Sequence, residues 1–370
     1  MKLRSHYDIV ILGGGPAGLA AAITLLQDAP YSVLIAESQP PEQERIGESC
    51  PPDTLLLLRK LGLLDTFREG PHSPCPGYAS VWGRAAVGYN DFIVNPLGPA
   101  WRLDRPHFDQ MLANEAVKRG AQLEYQLRFL SSNADKEENA PHHLSLLDVS
   151  TQKKHQLQAH FVIDATGSKA RFAKAVGIEK QLDDQLFAMV RFAQIAAGNI
   201  TRQVLLEATP TGWWYTAKLP NDRLVSMVVT EKEMLPFLQK KDQQGFEKAI
   251  DQTSFVGKSL ASLKLQNKTY HTWPIFSGIL PQLEGSNWMA IGDAASSYDP
   301  IAAQGIHKAL SDGIACLHKV SSFFKKEAPS SSFSDFVRQR YAAYQKNKTY
   351  SYAQEQRWAN QAFWRKRHSI

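Results

Sequence analysis

With 370 residues and a hydrophobic fraction of 43%, the chain is long enough to bury one large core or two interleaved lobes. Basic residues outnumber acidic ones by 42 to 36, and several collect in the final segment WRKRHSI, which we interpret as a solvated terminus without a nucleic-acid or membrane partner. Three separated cysteines indicate neither a disulfide framework nor a zinc site, so no bound metal is expected. The lack of a signal-like or bilayer-length apolar run predicts a cytoplasmic protein.

The start of the chain predicts a strand, a helix and a second strand. A strand at Tyr7 to Leu12 is followed by a glycine turn, a helix to about Gln27 and the apolar segment YSVLIAES. This order is typical of a βαβ unit, in which a helix crosses between two parallel strands. The glycines after the first strand therefore lie in the context that a dinucleotide-binding turn requires.

The glycine turn itself predicts a dinucleotide site. Its residues, spaced G-x-G-x-x-G, are Gly13, Gly15, Pro16, Ala17 and Gly18. Glycine permits a tight turn, lets the backbone approach a pyrophosphate and lets helix and strand pack closely, while free N–H groups at the helix start attract the anion. Glu37, nineteen residues after Gly18, follows the second strand and is placed to accept hydrogen bonds from ribose hydroxyls. The turn predicts an adenine dinucleotide with an unphosphorylated ribose and leaves FAD and NAD both open.

Later segments predict further helices and a second kind of sheet. RPHFDQMLANEAVKRG predicts an amphipathic helix before the strand AQLEYQL, and HFVIDATG predicts a strand ending in a turn. From Leu186 to Thr230, short aromatic and β-branched segments predict an antiparallel sheet, and Ser131 to His143 predicts a surface hairpin. After Asp299 the pattern is helical, with Ser334 expected as an N-cap after a serine-rich loop.

A polar segment late in the chain, GDAASSYDPIAAQGIHKAL, decides which dinucleotide is expected. It resembles the G-D motif of group A flavoprotein monooxygenases, flavin-dependent halogenases and geranylgeranyl-reductase-like proteins. The resemblance implies FAD, with Asp293 at the ribityl chain and the flavin lined by Pro300, Gln304, Gly305 and Ile306. The residue types fit, because N–H groups at a helix start stabilise a flavin carbonyl and small residues let the ring approach. Without a ligand, Asp293 would only cap a helix that contains Gly305.

Three other segments extend this resemblance over roughly Tyr7 to Leu317. IDATGSKAR resembles the Asp-Gly motif of the superfamily, RPHFDQML resembles its R-x-x-F-D-x-x-L stretch, and RIGESCPP resembles the segment that halogenases and reductase-like members carry after the second strand. The cofactor-binding residues that these matches imply are Arg45, Gly47, Arg105 and Asp164.

The implied fold is α/β and has three parts. A Rossmann-like FAD-binding domain of the glutathione-reductase type is expected over residues 1–75, 100–180 and 271–325. A mostly antiparallel β-sheet substrate domain is expected over 76–99 and 181–270, interleaved with the first. Residues 326–370 are expected to form a C-terminal helical segment.

The flavin chemistry is narrowed by what the sequence lacks. Hydroxylation, halogenation, double-bond reduction and a non-catalytic role all fit the fold. Halogenases of this superfamily need a lysine beyond the GE segment, whereas no lysine lies between Lys60 and Lys118 here, and long aliphatic runs for a reductase tunnel are missing. Hydroxylation is favoured. Its electrons are expected from NAD(P)H in transient contact or from a separate reductase, because no second G-x-G-x-x-G is present.

A narrower resemblance concerns the substrate. The set IGESCPP, LRKLGLL, SVWG, WRLDRPHFDQML and GWWYTAKLP is similar to that of LodB/GoxB-type flavoproteins, which mature protein-derived quinone cofactors. It implies hydroxylation, with O2, of a tryptophan in a partner oxidase precursor during biogenesis of a cysteine or lysine tryptophylquinone. The alternatives are a hydroxylase of small aromatic molecules, a halogenase-like flavoenzyme, and an assembly chaperone whose flavin is not catalytic.

Four residues are candidates for catalysis or substrate contact. Glu48 is the acid–base candidate, because a partly desolvated carboxyl near a flavin has a raised pKa, although a salt bridge to Arg45 or Arg102 explains it equally well. His307 is placed to touch the flavin or substrate, or else hydrogen-bonds at the helix start. Trp213 and Tyr215 share one strand face and line the substrate cavity in this interpretation, while the intervening tryptophan faces the other way; sheet packing explains them equally well.

Overall fold

The computed structural model describes residues 3–42, 44–134, 140–328 and 331–368. Within these ranges the strands are β1 (His6–Leu12), β2 (Val33–Ala36), β3 (Ser49–Cys50), β4 (Ser73–Cys75), β5 (Gly77–Val81), β6 (Gly88–Asp91), β7 (Ala100–Arg102), β8 (Gln122–Glu124), β9 (Leu127–Ala134), β10 (His142–Asp148), β11 (Lys154–Asp164), β12 (Gln181–Asp184), β13 (Phe187–Ala197), β14 (Val204–Thr209), β15 (Gly212–Lys218), β16 (Arg223–Thr230), β17 (Lys264–Pro274), β18 (Ser277–Ile279), β19 (Trp288–Ala290) and β20 (Ser296–Ser297). The helices are α1 (Pro16–Asp28), α2 (Thr54–Lys60), α3 (Leu64–Glu69), α4 (Arg105–Lys118), α5 (Arg171–Ala175), α6 (Leu235–Leu238), α7 (Lys240–Asp251), α8 (Val256–Leu260), α9 (Gly305–Lys325), α10 (Phe333–Ala353) and α11 (Ala362–His368).

The first sheet carries the predicted βαβ unit. Its strand order is β8-β2-β1-β11-β10-β9, with β19 also paired to β11. Strands β1, β2, β8, β11 and β19 run parallel, and the hairpin of β9 and β10 is antiparallel. Most of β1 and all of β2 are buried, as the continuous apolar runs of a covered parallel sheet require. The antiparallel pair of β9 and β10 corresponds to the hairpin predicted at Ser131 to His143, of which residues 135–139 lie outside the described residues.

Helices α1 and α9 pack closely against each other beside this sheet. The approach depends on Gly313, because a Cβ atom there would lie 2.7 Å from the carbonyl oxygen of Ala17. Gly292, just after β19, also faces Ala17, with only 2.7 Å between the two Cβ positions. The N-terminal turn of α1 and the G-D segment are thus held side by side by small residues.

The second sheet has the order β17-β13-β16-β15-β14-β5-β6 and is antiparallel except between β14 and β5. The four segments expected between Leu186 and Thr230 form β13 to β16. Trp213 and Tyr215 lie on one face of β15 and Trp214 on the other, as the alternation of a strand predicts. The division of the chain into domains stays a prediction, but both segments expected in the substrate domain contribute strands to this sheet.

The C-terminal segment is helical, yet its end is not a solvated tail. Trp364 is buried and donates a hydrogen bond from Nε1 to the carbonyl oxygen of Thr209 at 2.7 Å. Arg367 is 3% exposed and pairs with Asp184 at 2.9 Å. The basic end packs on the second sheet, because its aromatic residues cover apolar surface there. Among the described residues, no helix combines the length and apolar character needed to cross a bilayer.

The expected cap of α10 was wrong by two residues. Ser332 is the N-cap, and its Oγ accepts a hydrogen bond from the Asp335 N–H at 3.0 Å. The hydroxyl of Ser334 instead donates to Glu284 at 2.7 Å. Either serine satisfies the sequence preference for an N-cap, so only the path of the loop decides between them.

Candidate functional site

The glycine turn has the geometry of an anion-binding loop. Gly13 has φ +113°, and a Cβ there would lie 2.2 Å from the carbonyl oxygen of Ala165. A Cβ at Gly18 would lie 2.1 Å from the carbonyl oxygen of Gly13. At Gly15, by contrast, a Cβ would meet only an Arg45 nitrogen, at 3.8 Å. Two glycines therefore serve packing, while the third leaves open space at the start of α1, where a phosphate group would bind.

A carboxylate and a guanidinium flank this loop. Glu37 follows β2 and is 6% exposed; its Oε2 accepts from the Gly14 N–H and its Oε1 from the Gln39 N–H, both at 2.8 Å. Arg45 lies 3.7 Å from the Glu37 carboxylate. Each carboxylate oxygen keeps acceptor capacity for a ribose hydroxyl, and Arg45 places a positive charge beside Gly15. The structure thus places both predicted residues beside the glycine turn, and their contacts to the cofactor stay a prediction.

The G-D segment leads into a second helix start. After the short 3₁₀ turn Pro300–Ala302 and a left-handed Ala303, Gln304 is the N-cap of the 21-residue helix α9. A Cβ built at Gly305 would have no atom within 4 Å, so the first turn of α9, whose N–H groups have no partner within the helix, borders open space. Ile306, in this turn, comes within 4.0 Å of a Cβ built at Gly47. The segment around Gly47 and the start of α9 thus border the same space.

Asp293 lies at the start of this segment with a half-exposed carboxylate. Its Oδ1 is 2.7 Å from the Nζ of Lys308, whose side chain is 1% exposed. The ammonium group of Lys180 donates to the Asp293 carbonyl oxygen at 2.5 Å. Sequence reasoning missed both lysines. The only available signal was a charged residue at position 308, where the apolar pattern of α9 requires a buried one, and nothing marked Lys180.

The Asp164 side chain is buried and hydrogen-bonded within the protein, which its motif does not predict. The side chain is fully buried at the end of β11. Its Oδ1 accepts from the N–H and hydroxyl of Thr166, and its Oδ2 accepts from the N–H groups of Phe172 and Ala173, all between 2.6 and 3.0 Å. These four bonds fix the turn before α5 and saturate the carboxylate, so Asp164 orders a loop beside the glycine turn instead of offering a free oxygen.

Arg105 and Glu48 hydrogen-bond to the backbone of the loop that contains Gly47. Arg105 is 7% exposed and donates to the carbonyl oxygens of Ile46 and Gly47 at 2.5 and 2.9 Å. Glu48 is 6% exposed; its Oε2 accepts from the Gly47 N–H at 3.2 Å, and its Oε1 has no partner among the described residues. Burial raises the pKa of Glu48, although the Arg105 charge opposes the shift. A cavity of about 30 Å³ beside Glu48 has room for about one water molecule.

The salt bridges considered for Glu48 do not form in the described part of the chain. Arg102 instead donates to the Ser49 hydroxyl at 2.5 Å and to the Cys75 sulfur at 3.0 Å. The Ser49 oxygen is also 2.9 Å from the Tyr215 hydroxyl. Burial raises the pKa of Tyr215, so its phenol stays protonated at neutral pH. Tyr215 therefore reaches the loop that carries Glu48.

Two other candidates contact neighbouring protein side chains. Trp213 is 1% exposed and donates from its indole N–H to the Tyr352 hydroxyl at 3.0 Å, so it packs beneath the C-terminal helices. His307 points from α9 toward α2, with Nδ1 3.4 Å from both Asp53 and Thr54. Burial lowers the pKa of His307. This placement corresponds to the hydrogen-bonding alternative given for His307 and to the packing alternative for Trp213.

The starts of α1 and α9, Glu37 after β2 and the G-D segment after β19 lie at the carboxyl ends of the parallel strands of the first sheet. This arrangement defines a dinucleotide-binding flavoprotein of the glutathione-reductase type. Residues 6–350 match the FAD binding domain family, and the chain belongs to that family. Its cofactor is FAD, and it is a flavin-dependent oxidoreductase.

Relatives support this assignment along the whole chain. The FAD-dependent oxidoreductase LodB of Marinomonas mediterranea is 28% identical, with 98% of this chain and 97% of LodB covered. A brominase of pyrrole-2-carbonyl-[peptidyl-carrier protein] from Pseudoalteromonas luteoviolacea is 24% identical over 85% of this chain and 77% of its own.

Solved structures share the fold. The myxobacterial halogenase CndH aligns with a TM-score of 0.85 at 19% identity, covering 99% of this chain and 87% of CndH. QhpG, described as a peptidyl tryptophan dihydroxylase essential for tryptophylquinone cofactor biogenesis, aligns with a TM-score of 0.71 at 22% identity, covering 98% of this chain and 78% of QhpG. The predicted α/β fold is therefore confirmed.

Proposed function

We propose that this flavoprotein hydroxylates a tryptophan side chain of a partner oxidase precursor during biogenesis of a cysteine or lysine tryptophylquinone. The observation that carries the proposal is the similarity to LodB, which extends over nearly the full length of both chains. The fold shared with QhpG adds a relative whose described substrate is a peptidyl tryptophan. The brominase among the relatives is named for a substrate attached to a carrier protein, so protein-bound substrates recur on this fold.

The site residues offer contacts for successive parts of FAD. Gly15 and Arg45 would hold the pyrophosphate, Glu37 a ribose, and Asp293 the ribityl chain, while the N–H groups at the start of α9 would donate to the pyrimidine part of the flavin. Bound FAD would supply the activation of O2, with electrons from NAD(P)H or a separate reductase. The overall reaction balances as tryptophan, O2, two electrons and two protons giving hydroxytryptophan and water.

Glu48 is the group we assign to proton transfer. Indole is electron-rich and is attacked at a ring carbon, which must then lose a proton to restore aromaticity. A buried carboxyl with a raised pKa and an unpartnered oxygen is suited to hold that proton. The Tyr215 hydroxyl, fixed through Ser49 by Arg102, gives the substrate side of the same loop a neutral hydrogen-bonding group.

Co-expression with a precursor is the direct test. A precursor encoded beside this gene, with an unmodified tryptophan, should gain mass in steps of one oxygen atom when the wild-type chain is present. Glu48→Gln should leave it unmodified while still binding FAD. A precursor that matures with a variant unable to bind FAD would establish the assembly-chaperone alternative, and efficient hydroxylation of free tryptophan or a phenol would refute the protein substrate.

A further inference from the structure

The position of Lys180 links two loops that border the expected cofactor. Its Nζ is 2.5 Å from the carbonyl oxygen of Asp293 and 3.4 Å from both the carbonyl oxygen of Ser168 and the hydroxyl of Ser297. The loop that contains Asp293 follows β19, and the turn that contains Ser168 follows β11. Lys180 therefore joins the Ser168 turn to the Asp293 loop by hydrogen bonds to both.

Both loops touch the anion-binding start of α1. The turn after β11 contacts the glycine loop, since a Cβ at Gly13 would lie 2.2 Å from the Ala165 oxygen. The Asp293 loop contacts the same helix through Gly292, whose Cβ position is 2.7 Å from that of Ala17. A bond between the two loops therefore fixes two walls of the space in front of α1.

The charges around Lys180 balance only while Lys180 is protonated. Lys308 from α9 and Lys180 both approach Asp293. The other acidic group that acts on Lys180 is Asp164, whose four hydrogen-bond donors are uncharged, so two ammonium groups face two carboxylates. FAD carries a negatively charged pyrophosphate, and the net negative charge left by a neutral Lys180 would disfavour its binding.

We propose that Lys180 is a positioning residue of the FAD site, which holds the Asp293 loop against the Ser168 turn and whose positive charge, with that of Lys308, balances the carboxylates of Asp293 and Asp164 so that an anionic cofactor is not repelled. The inference rests on FAD as the cofactor and is independent of the tryptophan substrate. Burial and the neighbouring Lys308 lower the pKa of Lys180 to about 8, while Asp293 and Asp164 oppose the shift. Because the protonated form favours FAD, affinity should fall as pH rises through this value.

The test is titration of the apoprotein with FAD, followed by flavin fluorescence at pH values below and above about 8. The wild-type dissociation constant should rise about tenfold across this range, a change of about 1.4 kcal/mol. Lys180→Met should bind weakly below pH 8 and show no such dependence. Lys174→Met, which removes a 70% exposed lysine nearby in sequence, should behave as the wild type.

A second variant tests the electrostatic cause separately. Lys308→Met removes the like charge that lowers the pKa of Lys180, so the inflection in FAD affinity should move to higher pH. A wild-type affinity that is constant across the range would overturn the proposal, even if Lys180→Met fails to fold. So would a Lys180→Met variant that keeps the wild-type inflection. Neither result involves a partner protein, so the proposed substrate is judged independently.

Discussion

Replacing Asp293 with alanine should affect both FAD binding and the stability of the protein. Its half-exposed carboxylate pairs at 2.7 Å with the almost fully buried ammonium group of Lys308. Burial raises the pKa of Asp293, but the charges of Lys308 and Lys180 outweigh this and lower it, so the group is ionised at neutral pH. The substitution removes both a proposed ribityl acceptor and the counterion of a buried lysine.

The loss of the FAD contact is measured as FAD affinity, and the loss of the counterion of Lys308 is measured as the stability of the apoprotein. A hydrogen bond from a cofactor hydroxyl to a charged acceptor contributes about 1.5 to 3 kcal/mol, or about 10- to 150-fold in the FAD dissociation constant. Leaving Lys308 without Asp293 should lower the unfolding free energy of the apoprotein by about 3 kcal/mol. This is the low end for a buried pair, because Asp293 is half-exposed and Lys308 keeps its bond to the Ser296 carbonyl oxygen.

The assay combines FAD titration with urea unfolding of the apoprotein for Asp293→Ala, Lys308→Met and the double variant. The double variant should recover most of the stability, because no unpaired buried charge remains, but it should not recover FAD affinity. Asp293→Ala with wild-type FAD affinity would refute the ribityl role and leave Asp293 as a partner of Lys308 only.

Three further substitutions or conditions give separate outcomes. Gly15→Val should keep the thermal midpoint of the apoprotein, because a Cβ there meets only Arg45 at 3.8 Å, yet it should lose FAD absorbance after purification. Gly13→Ala should instead destabilise the apoprotein, because its Cβ would lie 2.2 Å from the Ala165 oxygen. Flavin absorbance in purified Gly15→Val would contradict the assignment of Gly15 to the pyrophosphate. With reduced flavin, O2 and bromide, mass spectrometry should detect no halogenated indole, because Lys180 and Lys308 are occupied by backbone and carboxylate oxygens. Because burial raises the pKa of Glu48, its contribution to stability is present at low pH and is lost as pH rises through the folded-state pKa. The thermal midpoint of Glu48→Gln relative to that of the wild type should therefore increase through this pKa and then stay constant. A difference in midpoint that does not change with pH would show that Glu48 ionises without cost.

The sequence could predict those parts of the fold that depend on local patterns. The βαβ unit follows from apolar runs and glycine spacing, and the four strands β13 to β16 follow from short aromatic and β-branched segments. Gly13 and Gly18 were predictable for the same reason, since their contacts lie within one turn of chain or the adjacent strand. Alternation along the strand also predicts that Tyr215 and Trp214 lie on opposite faces, as they do.

Contacts between distant segments could not be predicted in this way. Trp213 was a candidate for a cavity wall, but the Tyr352 hydroxyl, 139 residues away, covers its indole N–H. Arg102 was a candidate partner for Glu48, but it turns to Ser49 and Cys75. In both cases the residue type allows either arrangement, and the choice depends on how helices and strands far apart in sequence are packed.

Motif resemblance has a related limit, because a motif specifies a loop more reliably than it specifies which atoms remain free. The motif around Asp164 predicted a cofactor contact, yet four hydrogen bonds saturate that carboxylate and make it a support for the turn. The G-D motif predicted Asp293, but not that Lys308 within the same segment would pair with it. The electrostatics of this FAD site therefore depend on residues between the motif positions, and variation there should change FAD affinity without changing the fold.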